Sequence, residues 1–284
     1  AITALPGTAT SVEAISAWNK RGGGYRLLQG DKALADTAKG QLVSVHDAGT
    51  ALLLDILENG QHSLRRHSVN ATDLTAADGD WPLTGELVGA NGDQVWLRHG
   101  QAVSAEVISG ADIVPVVGEA LRERIVATQV DGQYLYVLSE SGLYRYSIEV
   151  SGAPQISRDF FVSLPDQTGF VVDANRLVSW HEGTLQEFRM LDDGSLFRIT
   201  PTSLTLPGVV ELARVDGPLT WLRVNVDSLP RWMAVQAGQV VGILPGPSNL
   251  FNVLPGRAYF AVENNGLTSL QYREVASAPA SFTL

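Results

Sequence analysis

Two series of tight-turn signals run through this chain at one shared interval of about 40 residues. The first is a polar pair ending in glycine after an apolar stretch: Asn59-Gly60, His99-Gly100, Ser141-Gly142, Glu182-Gly183 and Asn265-Gly266. Steps between these glycines are 40, 42, 41 and 83, the last being twice the period. The skipped turn reads Asn225-Val226-Asp227-Ser228, with Asp and Ser in place of glycine, and one period before Gly60 stands Arg21-Gly22-Gly23. The second series lies upstream in each period, at Pro6-Gly7, Ala48-Gly49, Asn91-Gly92, Asp131-Gly132, Ala174-Asn175, Asp216-Gly217 and Pro255-Gly256. Such pairs supply the positive or preset φ that hairpins need. Two hairpins per period make four strands.

Each unit must be covered on both sides. Segments between the paired turns are unbroken apolar runs, such as Val95-Trp96-Leu97, Tyr134-Leu135-Tyr136-Val137-Leu138 and Leu219-Thr220-Trp221-Leu222. A strand reads this way when both of its faces are buried. Downstream strands alternate more, as in Leu143-Tyr144-Arg145-Tyr146-Ser147-Ile148. The one competing helical stretch, Gly118 to Ile125, is short and reads as a linker or frayed strand. The expectation is a single all-β domain over 1–284, a seven-bladed β-propeller of four-stranded antiparallel blades. The period sets the blades at 1–40, 41–82, 83–118, 119–163, 164–206, 207–247 and 248–284. A six-bladed ring with an N-terminal extension is the alternative.

Composition narrows the partners. Net charge is −10, and three lysines accompany seventeen arginines. An acidic surface repels phosphate backbones and anionic lipid, so neither nucleic acid nor membrane insertion is expected. The local exception is Arg65-Arg66. No apolar run reaches the length of a membrane helix, and a soluble chain is expected. Zero cysteines exclude disulfides and thiolate metal sites and leave the compartment open. A start at Ala1 reads as a processed product or a piece of a larger polypeptide.

The segments Gly132 to Ile148 (GQYLYVLSESGLYRYSI) and Gly256 to Tyr272 (GRAYFAVENNGLTSLQY) resemble the LVIVD-type repeats of bacterial and archaeal propellers. That resemblance implies a propeller, an extracellular or cell-surface location, and a repeat that itself carries no catalytic residue.

Loops between second and third strands share one end of each sheet with the connections between sheets, and that end commonly carries the ligand site of a propeller. It collects Glu58, Asn59, Arg98, His99, Glu140, His181, Glu182, Asn225, Asp227, Glu263 and Asn264. The binding candidates are Arg98, His99, Glu140, His181, Glu182, Asn225, Asp227 and Asn264. An acid/base or metal-assisted hydrolase could draw on His99, His181 and Glu182, although solvated turns also collect such residues. His62 and His67, five apart on one strand, face opposite ways and cannot share an ion. His46-Asp47 are strand neighbours that point apart. Asp78-Gly79-Asp80 and Asp192-Asp193-Gly194 lack the rest of a calcium loop and read as turns. Trp96, Trp180 and Trp221 recur in the same strand and read as wedges between blades rather than sugar-stacking platforms, with Trp18 the most exposed of the series. Asn70-Ala71-Thr72 is a glycosylation sequon where the source glycosylates.

No motif specifies a reaction, metal or cofactor. The leading functional expectation is a non-enzymatic binding or interaction module, monomeric, taking a protein or carbohydrate ligand. Alternatives are a hydrolase or lyase acting on a carbohydrate or lactone, and a multivalent lectin.

Overall fold

A computed structural model describes residues 2–3, 15–20, 23–29, 32–48, 51–68, 77–118, 121–149, 153–200, 202–244, 250–254, 257–264 and 267–274. From residue 250 onward, and at scattered earlier positions, only the backbone is described. Every regular element among these residues is a strand, and no helix long and apolar enough to cross a membrane occurs among them.

The first sheet comprises β1 (Ile2–Thr3), β2 (Ile15–Asn19), β3 (Tyr25–Gln29) and β4 (Lys32–Asp36). The second holds β5 (Gln41–Asp47), β6 (Ala51–Glu58), β7 (Gln61–Ser68) and β8 (Gly79–Pro82). The third holds β9 (Glu86–Asn91), β10 (Gln94–His99), β11 (Ala102–Ser109) and β12 (Asp112–Val116). In the fourth lie β13 (Ile125–Asp131), β14 (Tyr134–Ser139), β15 (Gly142–Glu149) and β16 (Gln155–Ser163). The fifth runs through β17 (Gly169–Asp173), β18 (Arg176–His181), β19 (Thr184–Met190) and β20 (Leu196–Arg198), with β21 (Leu204–Thr205) also paired to β19. The sixth contains β22 (Val209–Asp216), β23 (Leu219–Val226), β24 (Leu229–Gln236) and β25 (Gln239–Leu244). Three strands of the last are described: β26 (Leu250–Leu254), β27 (Arg257–Asn264) and β28 (Leu267–Glu274). Each sheet is an antiparallel meander in chain order, the blade plan of a β-propeller. The described residues of the N-terminal segment, in β1 to β4, pair as a four-stranded sheet.

The chain divides into two compact units, residues 1–121 with 148–156 and residues 122–147 with 157–284. The short excursion 148–156 belongs to the first because Gln155 bridges Val117 in parallel.

The apolar second strands explain how sheets cohere within each unit. On β6, Leu52, Leu54 and Ile56 pack with Tyr25 and Leu27 of the first sheet. Leu53, on the opposite pleat, packs with Leu87, Val95 and Leu97 of the third. In the second unit Leu177 joins Tyr136 and Leu138 of the fourth sheet, whereas Val178 joins Leu222 and Val224 of the sixth. Each such fully buried side chain contributes about 1.5–3 kcal/mol relative to exposure. Trp96, Trp180 and Trp221 are 0%, 5% and 1% exposed, so they are wedges in the core and offer no stacking surface. The Trp18 side chain lies outside the described residues.

The turn signals sit at the hairpins with a small offset. In the upstream series the Asp or Asn ends a strand and the loop begins one residue later: Asn91 pairs Gln94, Asp131 pairs Tyr134, and Asp216 pairs Leu219. The glycine-free turn in the sixth sheet is a two-residue loop between Val226 and Leu229, with Asp227 at φ 51° and Ser228 at φ 65°. Both central residues at positive φ define the type I′ turn that matches strand twist. Between Gly118 and Ile125 the described residues 121–124 are coil and Ile125 opens β13.

Five first strands carry a bulge near their start, with register shifts at Leu42/Ser44, Ile125/Ala127, Val210/Leu212 and Leu250/Asn252, and Val88 skipped where β9 meets β10, whereas β17 pairs without one. A bulge bends the strand and re-aims the extra residue. Asn19 Nδ2 donates to Leu42 O at 2.8 Å and Asn19 Oδ1 accepts from Leu42 N at 2.7 Å, tying the first sheet to the second beside such a bulge. Gln129 makes the same two-bond clasp with Val172, at 2.6 and 2.8 Å, between the fourth and fifth sheets.

Candidate functional site

At the hairpin end of several sheets, the chain entering or leaving the sheet is bonded to that sheet's own central hairpin. Leu83 N donates to His62 O at 3.0 Å, Leu164 N to Ser141 O at 3.1 Å, and Leu206 N to Gly183 O at 2.8 Å. Before β13, Glu123 accepts from Ser139 Oγ at 2.5 Å and from Ser141 Oγ at 2.6 Å. These hydroxyls hold its carboxyl below the usual range. The end is therefore built from backbone stitches, with polar side chains filling in between.

The sequence-derived candidates occupy this end and are held locally. His99 Nε2 lies 2.8 Å from Ser104 Oγ, and Arg98 Nε donates to Gly100 O at 3.2 Å. His181 Nδ1 meets the carbonyl of Asp166. Glu182, at φ 52°, donates its backbone N–H to Thr168 Oγ1 at 3.2 Å, and its carbonyl accepts from Val210 N at 2.8 Å. Asn225 Nδ2 donates to Glu211 Oε1 at 3.1 Å, Glu211 being the extra residue of the bulge in β22. Glu140 and Asp227 are exposed turn residues. Asn264 ends β27 opposite Leu267, and its side chain and that of Glu263 lie outside the described residues. His99, Arg98 and Asn225 thus bond within their own sheets, whereas the Glu182 carbonyl reaches Val210 of the next one.

Several other expectations need correction or refinement. Asp80 belongs to strand β8 rather than a turn and pairs with Arg65 Nε at 2.9 Å, whereas Asp193 does make a turn, its Oδ1 accepting from Ser195 N at 2.9 Å. His67 is wholly buried at 2%, and His62 faces the other way with its side chain 41% exposed. The Arg65-Arg66 pair is no basic patch: Arg66 Nη1 meets Asp93 Oδ1 at 2.9 Å, and Arg65 joins Glu58 and Asp80. His46 Nε2 lies 3.1 Å from Ser44 Oγ, and desolvation holds its pKa near 4. The Asp47 side chain and Asn70-Ala71-Thr72 lie outside the described residues.

One concave feature at this end, bordered by Glu58 and Asn59, holds none of the eight binding candidates. A recess of about 920 Å³ opens beside the central hairpin of the second sheet, between Gln61-His62-Ser63 and the connection Pro82 to Glu86. Val43, the bulged residue of β5, forms part of its wall and is 43% exposed. Asp55 lies on the Leu53 pleat of β6, the face turned to the third sheet, and its side chain is 3% exposed. Its Oδ1 lies 2.8 Å from His62 Nδ1. Burial pushes the Asp55 carboxyl up; the His62 hydrogen bond pulls it back, and the Glu86 charge adds to the rise. Around this pair stand Glu58 and Asp80, both joined to Arg65, and Thr84, which donates to Glu106 Oε1 at 3.2 Å. Trp81 borders the recess but is 7% exposed, with its indole N–H given to Ala111 O at 2.9 Å. The sequence signal for the site was the single carboxylate in the apolar run Ala51 to Ile56. Among the described residues no group of three or more His, Asp and Glu side chains could hold a metal ion.

No family model matches the chain, and no curated protein matches it. Solved structures do share its fold. A protein of unknown function from Desulfotomaculum acetoxidans superposes with a TM-score of 0.59 at 13% identity, covering 82% of this chain and 81% of that one. Hsv2 from Kluyveromyces lactis gives 0.57 at 9% identity, covering 84% and 75%. The dihydro-heme d1 dehydrogenase NirN gives 0.56 at 14% identity, covering 96% of this chain and 63% of that one. At such identities the likeness establishes the β-propeller fold alone.

Proposed function

We propose that the chain is a non-enzymatic binding module of a secreted or cell-surface bacterial protein, with a protein or carbohydrate ligand docking at the hairpin end of the second sheet. The resemblance to LVIVD-type repeats supports the location. The carrying observation is the recess itself, where a buried carboxylate and a half-exposed imidazole meet in one concave surface. Concave sites with a few convergent polar groups are the usual form of ligand sites. Elsewhere at this end, His99 and Asn225 are bonded within their own sheets.

A second reading, a hydrolase or lyase acting on a carbohydrate or lactone, draws on one observation. Asp55 orients His62 through Nδ1, the relation that prepares an imidazole as a general base. Ligand capture on a sensor surface, followed by mass analysis of the eluted ligand, separates the two. Stoichiometric, saturable capture of an unchanged ligand, weakened by His62→Gln, is the expected result. Turnover of that ligand, lost in the same variant, would replace the binding reading with the enzymatic one.

A further inference from the structure

The groups around this recess differ in what they still have to offer. With Asp55 ionised its Oδ1 accepts from His62 Nδ1, and in that neutral tautomer Nε2 is left as an acceptor. Glu58 and Asp80 share the one guanidinium of Arg65, at 3.3 and 2.9 Å, and the imidazole engages one oxygen of Asp55. With Asp55, Glu58, Asp80 and Glu86 on its lining, the wall presents carbonyl and carboxylate lone pairs and keeps a net negative charge. Asn59, Gln61 and Ser63 add groups able to donate as well as accept, and Thr84, whose proton goes to Glu106, adds an acceptor. Such a surface suits a ligand rich in neutral O–H groups, each able to give one hydrogen bond and take another. A cation would satisfy the acceptors, but it would leave the donors idle, and no three His, Asp or Glu side chains among the described residues converge to hold a metal ion.

We propose that the recess binds a carbohydrate, with the Asp55–His62 pair and Glu86 as its principal hydroxyl receptors. This rests on reading the recess as the ligand site. Recognition is by hydrogen bonding at one location, in contrast to repeated tryptophan stacking, because Trp81, Trp96, Trp180 and Trp221 are buried. Val43, set outward by the bulge in β5, supplies an apolar contact for a sugar C–H face. The hydroxyl of Thr84 is fixed by its bond to Glu106, so a ligand there meets a preset oxygen.

The test applies the fluorescently labelled full chain to a printed glycan array and, in parallel, to an array of basic and acidic peptides. Glycan hits are then titrated by calorimetry. The expected result is a glycan hit whose affinity falls at least tenfold in both His62→Gln and Glu86→Gln, each circular-dichroism-matched to the parent. Both positions are exposed enough for the folded state to persist, and Asp55→Asn provides a third variant at the buried member. Capture of basic peptides, lost in Glu86→Gln, would overturn the carbohydrate assignment and leave the binding-site reading standing. Ligands that bind with full affinity to both variants would overturn the site itself, and silence on both arrays would overturn both readings.

Discussion

A steric constraint on a core side chain in the second unit is the contact between Gly169 and Trp180, which face each other across β17 and β18. A Cβ placed on Gly169 would lie 2.3 Å from Cζ2 and 2.5 Å from Cε2 of the indole. Carbon atoms rest at about 3.5–4.0 Å, so the ring in Gly169→Ala must retreat by roughly 1.2 Å or more. It has little room, being packed in one cluster with Val178, Leu185, Leu206 and Val210. Overpacking of this kind costs about 1–3 kcal/mol. For a unit of this size the midpoint should drop by roughly 2–12 °C. Thermal melts followed by far-UV circular dichroism and tryptophan emission measure it. The double variant Gly169→Ala/Trp180→Phe should lose less than the sum of the single losses, since the smaller ring removes the clash. A Gly169→Ala protein that melts with the parent, or a strictly additive cycle, would refute the packing argument.

Three further expectations can be checked on the same purified protein. Ser228→Gly relieves an L-residue held at positive φ and should raise stability in urea titration by up to about 1 kcal/mol, offset in part by a freer unfolded chain. Trp96→Ala should cost about 3–5 kcal/mol in the same titration, whereas Leu229→Ala, at an exposed turn, should stay within about 0.5 kcal/mol. His46 has a folded pKa near 4 against an ordinary 6.5, so the unfolded chain takes up its proton first on acidification. Its stabilising contribution is complete above pH 6.5 and declines as pH falls toward 4, at up to about 1.4 kcal/mol per unit. His46→Gln should flatten the pH dependence of urea midpoints over that window, and an unchanged slope would mean the imidazole is not desolvated.

The sheet plan was legible because its cause is local. A type I′ turn demands positive φ, and Asn-Gly, Asp-Gly or the Asp227-Ser228 pair can be recognised without knowing what the strands touch. The same holds for β10, whose run Val95-Trp96-Leu97 declares cover on two sides. The recess was not legible, since it depends on which pleat Asp55 occupies and on where the connection after Pro82 returns. Val43 shows the limit most clearly. Nothing in Gln41-Leu42-Val43-Ser44 marks a bulge, because the extra residue is set by pairing with Leu54 to Leu57 of β6. His99 and His181 were placed correctly at the hairpin end, but the sequence does not show that one ring nitrogen of each is held, by Ser104 Oγ and by the Asp166 carbonyl.

The stitches that join entering and leaving segments to a single hairpin have an evolutionary corollary. Because Leu83, Leu164 and Leu206 report back to the sheet they have just left, a change of length or chemistry in one hairpin is absorbed where it arises. Such a chain can diversify one recognition surface at a time while its repeats drift apart in sequence, and a hairpin transplanted together with its departing leucine should carry its local shape into a new host.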